Sequence, residues 1–170
     1  INVSNHDSSL EEDGWDAGKH IWPRHDVMAK DIWTTKALRL GIRQVEGLAK
    51  KDIERIVEVR AEGRYTSIRD LWLRTGVPVA SLEKLARADA FSDFGLNRRE
   101  ALWAVKGLIG THGAETLPLF AIEPPKETPV EEPAGLPLMA PGEEVIHDYA
   151  TLSLSLKGHP VQFLRPMLMQ

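Results

Sequence analysis

Three glycines mark the places in this 170-residue chain where residue types and spacing could do chemistry. Each is followed by an apolar residue, then by apolar or small residues six and nine positions after the glycine. The sets are Gly47, Leu48, Ile53, Ile56; Gly76, Val77, Leu82, Leu85; and, more weakly, Gly95, Leu96, Ala101, Ala104. The chemistry on offer is anion binding. Glycine tolerates positive φ and the close approach of another backbone. The helix that follows starts with amides lacking intrahelical partners, and its dipole adds partial positive charge at the same place. Together they suit a phosphate and respond to its charge alone. Lys50 and Lys51 follow the first turn, and Arg98 and Arg99 follow the third. Cations at a helix start slightly destabilise it, so their placement beside glycine turns points to an anionic ligand.

The elements that must position these turns read as helices. Leu38, Ile42 and Val45 fall on one face at helical spacing, so a helix is expected from Lys36 until Gly47 ends it. Lys50 to Glu62 is the partner, with Ile53, Ile56 and Val57 inward and Gly63 as the stop. Thr66 or Ser67 offers a cap for a short helix from Ile68 to Arg74 that buries Leu71 and Trp72. Thr75-Gly76-Val77-Pro78 is the second turn, and the proline belongs at the start of the helix that follows, Val79 to Asp89. Asn97 caps a last helix, Arg98 to Leu108, which Gly107 and Gly110 should end. Pairs of helices joined by a glycine turn form the helix–hairpin–helix layout, so the expected fold is mainly α with tandem hairpins.

This divides the chain into an irregular arm (1–36), a hairpin region (37–110), a proline-rich linker (111–142) and short C-terminal elements (143–170). Seven prolines lie between Leu117 and Pro141, and proline removes donors and blocks helix. In the arm, Trp15, Trp22 and Trp33 are expected to pin an extended segment to a neighbouring surface. His6, His20 and His25 have no ligand spacing, so no metal site is expected from them. Glu143 to Ala150 reads as a short helix. Lys157-Gly158-His159-Pro160 is a turn, and Val161 to Met169 is a short apolar segment interrupted by Pro166.

Bulk composition narrows the class. The net charge of −4 hides a division: residues 37–107 carry 14 basic and 10 acidic side chains, while the flanks carry 7 and 15. A basic centre between acidic flanks points to nucleic acid. No apolar run is long enough to span a membrane. The absence of cysteine excludes disulfides and thiolate metal sites and fits a cytoplasmic location. The first residue is not methionine, which suggests a piece of something longer.

Several words together resemble a family. Ala37-Leu38-Arg39-Leu40-Gly41 running into Arg43-Gln44-Val45-Glu46-Gly47-Leu48 is similar to the tandem hairpin region of bacterial C-family DNA polymerases of the α-subunit type. So is Ala88-Asp89-Ala90-Phe91 leading to Leu96-Asn97-Arg98-Arg99-Glu100-Ala101-Leu102-Trp103. Leu117-Pro118-Leu119-Phe120, Gly142-Glu143-Glu144-Val145 and Ser155-Leu156-Lys157-Gly158-His159-Pro160 resemble the error-prone, damage-tolerant branch. Ile1-Asn2-Val3-Ser4-Asn5 would then be the end of a fingers region.

The resemblance implies a non-catalytic part of a DNA polymerase that grips duplex DNA during translesion synthesis. The catalytic acids and the Mg2+ of such an enzyme would lie elsewhere in the longer chain. No cofactor is expected here, and the partners would be double-stranded DNA and the rest of the polymerase. By the same resemblance Gly47, Leu48, Ala49, Lys50, Lys51, Gly76, Gly95, Asn97, Arg98 and Arg99 would bind DNA. Leu117, Leu119 and Phe120 resemble a sliding-clamp-binding word, with Thr116 where its glutamine usually stands. Accessory damage-tolerance proteins are further implied partners. The sequence departs from the hairpin pattern at Ala49, Pro78 and Asn97, where a second glycine is usual, and at Ile53, where alanine is common. Two other readings stand beside this one: a base-excision enzyme using Asp89 or Asp93 as its acid, and a hairpin module that docks protein instead of DNA.

Overall fold

The computed structural model describes residues 1–12, 27, 36–115 and 135–168. Trp15, Trp22, Trp33, His20, His25 and the word Leu117–Phe120 lie outside the described residues. Two short strands, β1 (Ser9–Glu12) and β2 (Lys36–Arg39), precede α1 (Lys50–Arg60), α2 (Ile68–Thr75), α3 (Val79–Arg87) and α4 (Arg98–Glu115). Helices α5 (Pro141–Leu152) and α6 (Pro160–Leu168) follow. The fold is mainly α, as expected.

The first expected helix is absent. Lys36–Arg39 instead pairs antiparallel with Ser9–Glu12, placing Leu10 opposite Leu38 and Ser9 opposite Arg39. Only a single 3-10 turn, Ile42–Gln44, precedes the Gly47 turn. Backbone competition explains the change. The amides of Ile42 and Arg43 donate to the carbonyls of Asn5 and His6, at 2.8 and 3.2 Å, and those donors are lost to any helix starting at Lys36. Gly41 makes this contact possible, because a Cβ there would fall 2.4–2.6 Å from the backbone of His6, Asp7 and Ser8. Leu38, placed inside by the helical reading, is 63% exposed. Arg39 hydrogen-bonds Glu11 across the strands and holds that carboxyl below its ordinary range.

The core gathers one stripe from each hairpin helix. It contains Ile53, Ile56 and Val59 of α1, Leu71 and Trp72 of α2, Leu82, Leu85 and Ala86 of α3, and Ala101, Val105 and Leu108 of α4. Burying an aliphatic side chain contributes about 1.5–3 kcal/mol, so these stripes fix how the helices pack. Phe91 is fully buried between α3 and α4 and stacks on Phe94 with ring centres 5.8 Å apart. The N-terminal residues are laced onto this body. Ile1 is buried in the core, Asn2 exchanges two hydrogen bonds with the Tyr65 backbone, and Arg60 donates to the carbonyls of Ile1 and Ser4.

Caps set the helix boundaries. Ser67 Oγ accepts from the Asp70 amide, and Asp70 accepts from the Thr66 amide, closing the start of α2. Asn97 and Glu100 do the same reciprocally for α4, at 3.0 and 2.9 Å. Helix α4 runs past Gly107 and Gly110 to Glu115, further than the sequence suggested. A glycine inside a helix costs only about 1 kcal/mol, which the packing of Val105 and Leu108 offsets. The apolar segment after Pro160 is a helix, α6, with the proline in its first turn.

Candidate nucleic-acid interface

The three turn glycines share one backbone conformation. Gly47, Gly76 and Gly95 have φ of 69°, 64° and 71°, in the left-handed region that favours glycine. Their surroundings differ.

At the first turn the Leu48 amide is already used by the Val45 carbonyl, at 3.3 Å, and the Glu46 amide by Thr151 of α5, at 2.9 Å. Ala49 then starts α1 with no side-chain cap. The amides of Ala49, Lys50 and Lys51 have no acceptor among the described residues, while those of Asp52 and Ile53 return to the Ala49 carbonyl. Around these three donors stand two cations. Lys50 is 73% exposed and only 3.6 Å from Glu54, and Lys51 is exposed with no charged partner among the described residues. A third cation arrives from another hairpin: Lys84 of α3 donates to the Gly47 carbonyl at 2.5 Å. The sequence reading did not single out Lys84. Its position is 37 residues away in the chain, and nothing local signals the contact.

At the second turn the Gly76 amide closes α2 on Trp72 and the Val77 amide reaches Thr75 Oγ1. Helix α3 begins Pro78-Val79-Ala80-Ser81, with no cation of its own, and the surface there is lined by Trp72, Leu73, Val77 and Val79. The first turns of α1 and α3 are tied together at equivalent positions, five residues after each glycine: buried Ser81 donates to buried Asp52 at 2.6 Å.

The third turn is occupied from within. Asn97 spends its side chain on the cap. Arg98 is 1% exposed and is not at the surface. Its guanidinium reaches Asp148, the Glu144 carboxylate at 3.1 Å and the Glu144 carbonyl at 3.1 Å, all on α5. Arg99 hydrogen-bonds both oxygens of Glu143, at 2.9 and 3.1 Å, and the Pro137 carbonyl at 2.9 Å. Lys157 extends the network by bridging Asp89 and Glu144, at 2.6 and 2.5 Å. Burial lowers the Lys157 ammonium, but the hydrogen bonds to Asp89 and Glu144 outweigh it and leave the pKa raised. The cations after Gly95 therefore meet carboxylates of α5, whereas after Gly47 Lys51 has no charged partner among the described residues and exposed Lys50 meets only Glu54 of its own helix.

Asp89 and Asp93, the acids considered for base removal, border an apolar cavity of about 310 Å³. Asp89 is held by Lys157, and Asp93 accepts from the Asn2 amide at 3.2 Å. Among the described residues no group of three His, Asp or Glu side chains is placed to hold a metal ion. No helix among the described residues is long and apolar enough to cross a membrane.

A family model described as helix-hairpin-helix motif matches residues 1–101. The chain belongs to the helix–hairpin–helix family. It is 49% identical over 165 residues to error-prone DNA polymerase 1 of Rhizobium meliloti (strain 1021), covering 97% of this chain and 15% of that protein. It is 46% identical over 168 residues to an error-prone DNA polymerase of Mesorhizobium japonicum, covering 99% and 15%. A third relative, an error-prone DNA polymerase of Caulobacter vibrioides, is 48% identical over 157 residues, covering 85% and 13%. The likeness to error-prone polymerases read from the sequence words is borne out by these names. The chain spans about 15% of the length of the first of these relatives. No solved structure matches it.

Proposed function

We propose that this helix–hairpin–helix chain is the duplex-DNA-binding part of an error-prone DNA polymerase acting in translesion synthesis. Its own residues grip phosphate and take no part in nucleotidyl transfer. The observation that carries the reading is the Gly47 turn: three amides at the start of α1 without an acceptor among the described residues, beside exposed Lys50 and Lys51. A phosphate oxygen accepts from such amides without reference to base identity. Of the residues expected to bind DNA, the proposal keeps Gly47 as the turn former and Ala49, Lys50 and Lys51 as the contacts. It leaves out Arg98, whose guanidinium is buried on Asp148, and Leu48, whose amide is used by Val45.

The metal-assisted joining of nucleotides is assigned to parts of the longer polypeptide outside this chain. Clamp docking through Leu117, Leu119 and Phe120 is a further element of the proposal, tested by clamp capture with and without Phe120→Ala. A second reading has an observation of its own: the Gly95 turn already holds a protein segment through Arg99 and Glu143. Helix–hairpin–helix turns in this chain can therefore serve protein docking as well as phosphate.

The test is duplex binding by fluorescence anisotropy from about 50 to 200 mM salt. The proposal expects sequence-independent binding whose affinity falls steeply over that range. A folded chain that binds no duplex at the lowest salt would overturn it in favour of protein docking.

A further inference from the structure

The two tandem hairpins exchange cations. Lys84 lies eight residues after Gly76 and donates to the Gly47 carbonyl at 2.5 Å. Arg55 lies eight residues after Gly47 and its Nε donates to the carbonyl of Thr75, the residue before Gly76, at 3.4 Å. The Asp52–Ser81 hydrogen bond joins positions five residues after the same two glycines. Through these contacts α1 and α3, the helices that follow the two glycine turns, each reach back to the turn before the other. The residues differ in their other commitments. Arg55 also pairs with Glu58 at 3.0 Å, while Lys84 has no carboxylate partner among the described residues.

The Lys84 contact has an electrostatic consequence. Gly47 is exposed and stands two residues before Ala49, so an uncompensated carbonyl oxygen there repels a phosphate approaching the start of α1. An ammonium bonded to that oxygen cancels the repulsion, fixes the turn, and retains two further N–H donors. We propose that Lys84 is a positioning residue for the first-turn phosphate grip, supplied by the second hairpin, with Arg55 as its structural counterpart. This rests on the reading of the Gly47 turn as a phosphate site. It makes that site a joint property of both hairpins.

The test compares Lys84→Met, Lys84→Arg and the wild-type 170-residue chain in duplex-DNA anisotropy titrations at several salt concentrations. Thermal melts of each run alongside. Lys84→Met keeps most of the stem and removes the charge. The expected result is affinity weakened about 3–10-fold on every duplex and a log–log salt slope smaller by about one. The melting midpoint should barely move, and Lys84→Arg should restore affinity and slope. Wild-type affinity and slope in Lys84→Met would overturn the inference, as would a loss that only follows the unfolded fraction, or failure of Lys84→Arg to rescue. Lys50→Glu with Lys51→Glu separates the two claims. If that variant loses binding while Lys84→Met does not, the phosphate grip stands and the role of Lys84 falls. If it binds as wild type does, the grip itself is wrong.

Discussion

The Gly47 and Gly95 turns share a backbone conformation, a following helix and a pair of basic residues, yet the molecule uses them differently. After Gly47 the helix start is uncapped and its lysines face outward. After Gly95 the Asn97–Glu100 box takes two amides, and the side chains of both arginines are engaged by α5 and the segment before it. The carboxylates of Glu143, Glu144 and Asp148 take up the two cations that an anionic ligand would use there. One motif thus stands open at the first turn, where we propose that it seats phosphate, and forms an internal clamp at the third. A glycine turn with adjacent cations is not by itself a binding site; what neighbouring elements do with those cations decides.

The comparison can be broken most sharply at Arg98. Arg98→Met should lower stability by about 3–5 kcal/mol, because it strands the buried Asp148 carboxylate without a counter-charge, while Glu144 keeps only Lys157. Urea unfolding of the chain measures this. A loss under about 1 kcal/mol would mean that the third turn is not an internal clamp.

Next in size come the glycines. Gly47→Ala and Gly95→Ala should each cost about 1–2 kcal/mol of stability, since both force an L-residue into the left-handed region. A Cβ at Gly47 meets Lys84 at an ordinary 3.5 Å, and one at Gly95 meets nothing within 4 Å. The strain is therefore in the backbone alone. Duplex affinity should fall for Gly47→Ala and stay near wild type for Gly95→Ala. Equal losses would erase the functional distinction between the turns.

Smaller still is the effect of Arg99→Gln. The Arg99–Glu143 pair is partly exposed on both sides, and such pairs contribute about 0–1 kcal/mol. Melting should shift by a degree or two with duplex affinity unchanged.

The clamp also carries a pH signature. Lys157 has a raised pKa in the folded state, and so does Tyr65, whose phenol burial pushes up. A raised folded pKa contributes stability that is complete below the unfolded value and is lost as pH rises through the folded one. The chain should therefore lose stability above about pH 10. Lys157→Met should reduce that loss, by comparison of urea midpoints at pH 8 and 10.5. An identical pH dependence in the variant would remove Lys157 from the account.

The glycine positions and most helix stripes were legible from spacing, because a turn glycine followed by inward residues at six and nine positions is a local pattern. The first helix was misread since its apolar spacing ignored a partner: residues 5–12 take the backbone of residues 36–43. The fate of the two arginines was half legible. Arg98 stands three and seven residues before Ala101 and Val105, on the buried stripe of α4, so its charge had to find a partner inside. That the partner would be Asp148, fifty residues later, has no local signal. Asp52 follows the same logic, four residues before Ile56 on the inward face of α1, with Ser81 as its partner. Lys84 was invisible for the same reason, since its role depends on a carbonyl in the other hairpin.

The measurement that bears most directly on the contrast is the salt dependence of duplex binding for two charge reversals side by side, Lys50→Glu with Lys51→Glu against Arg99→Glu. The account predicts that the lysine pair weakens binding on all sequences and lowers the slope by roughly one to two, while Arg99→Glu leaves the slope at the wild-type value. Equal slopes for the two variants, or a larger loss at Arg99, would contradict it.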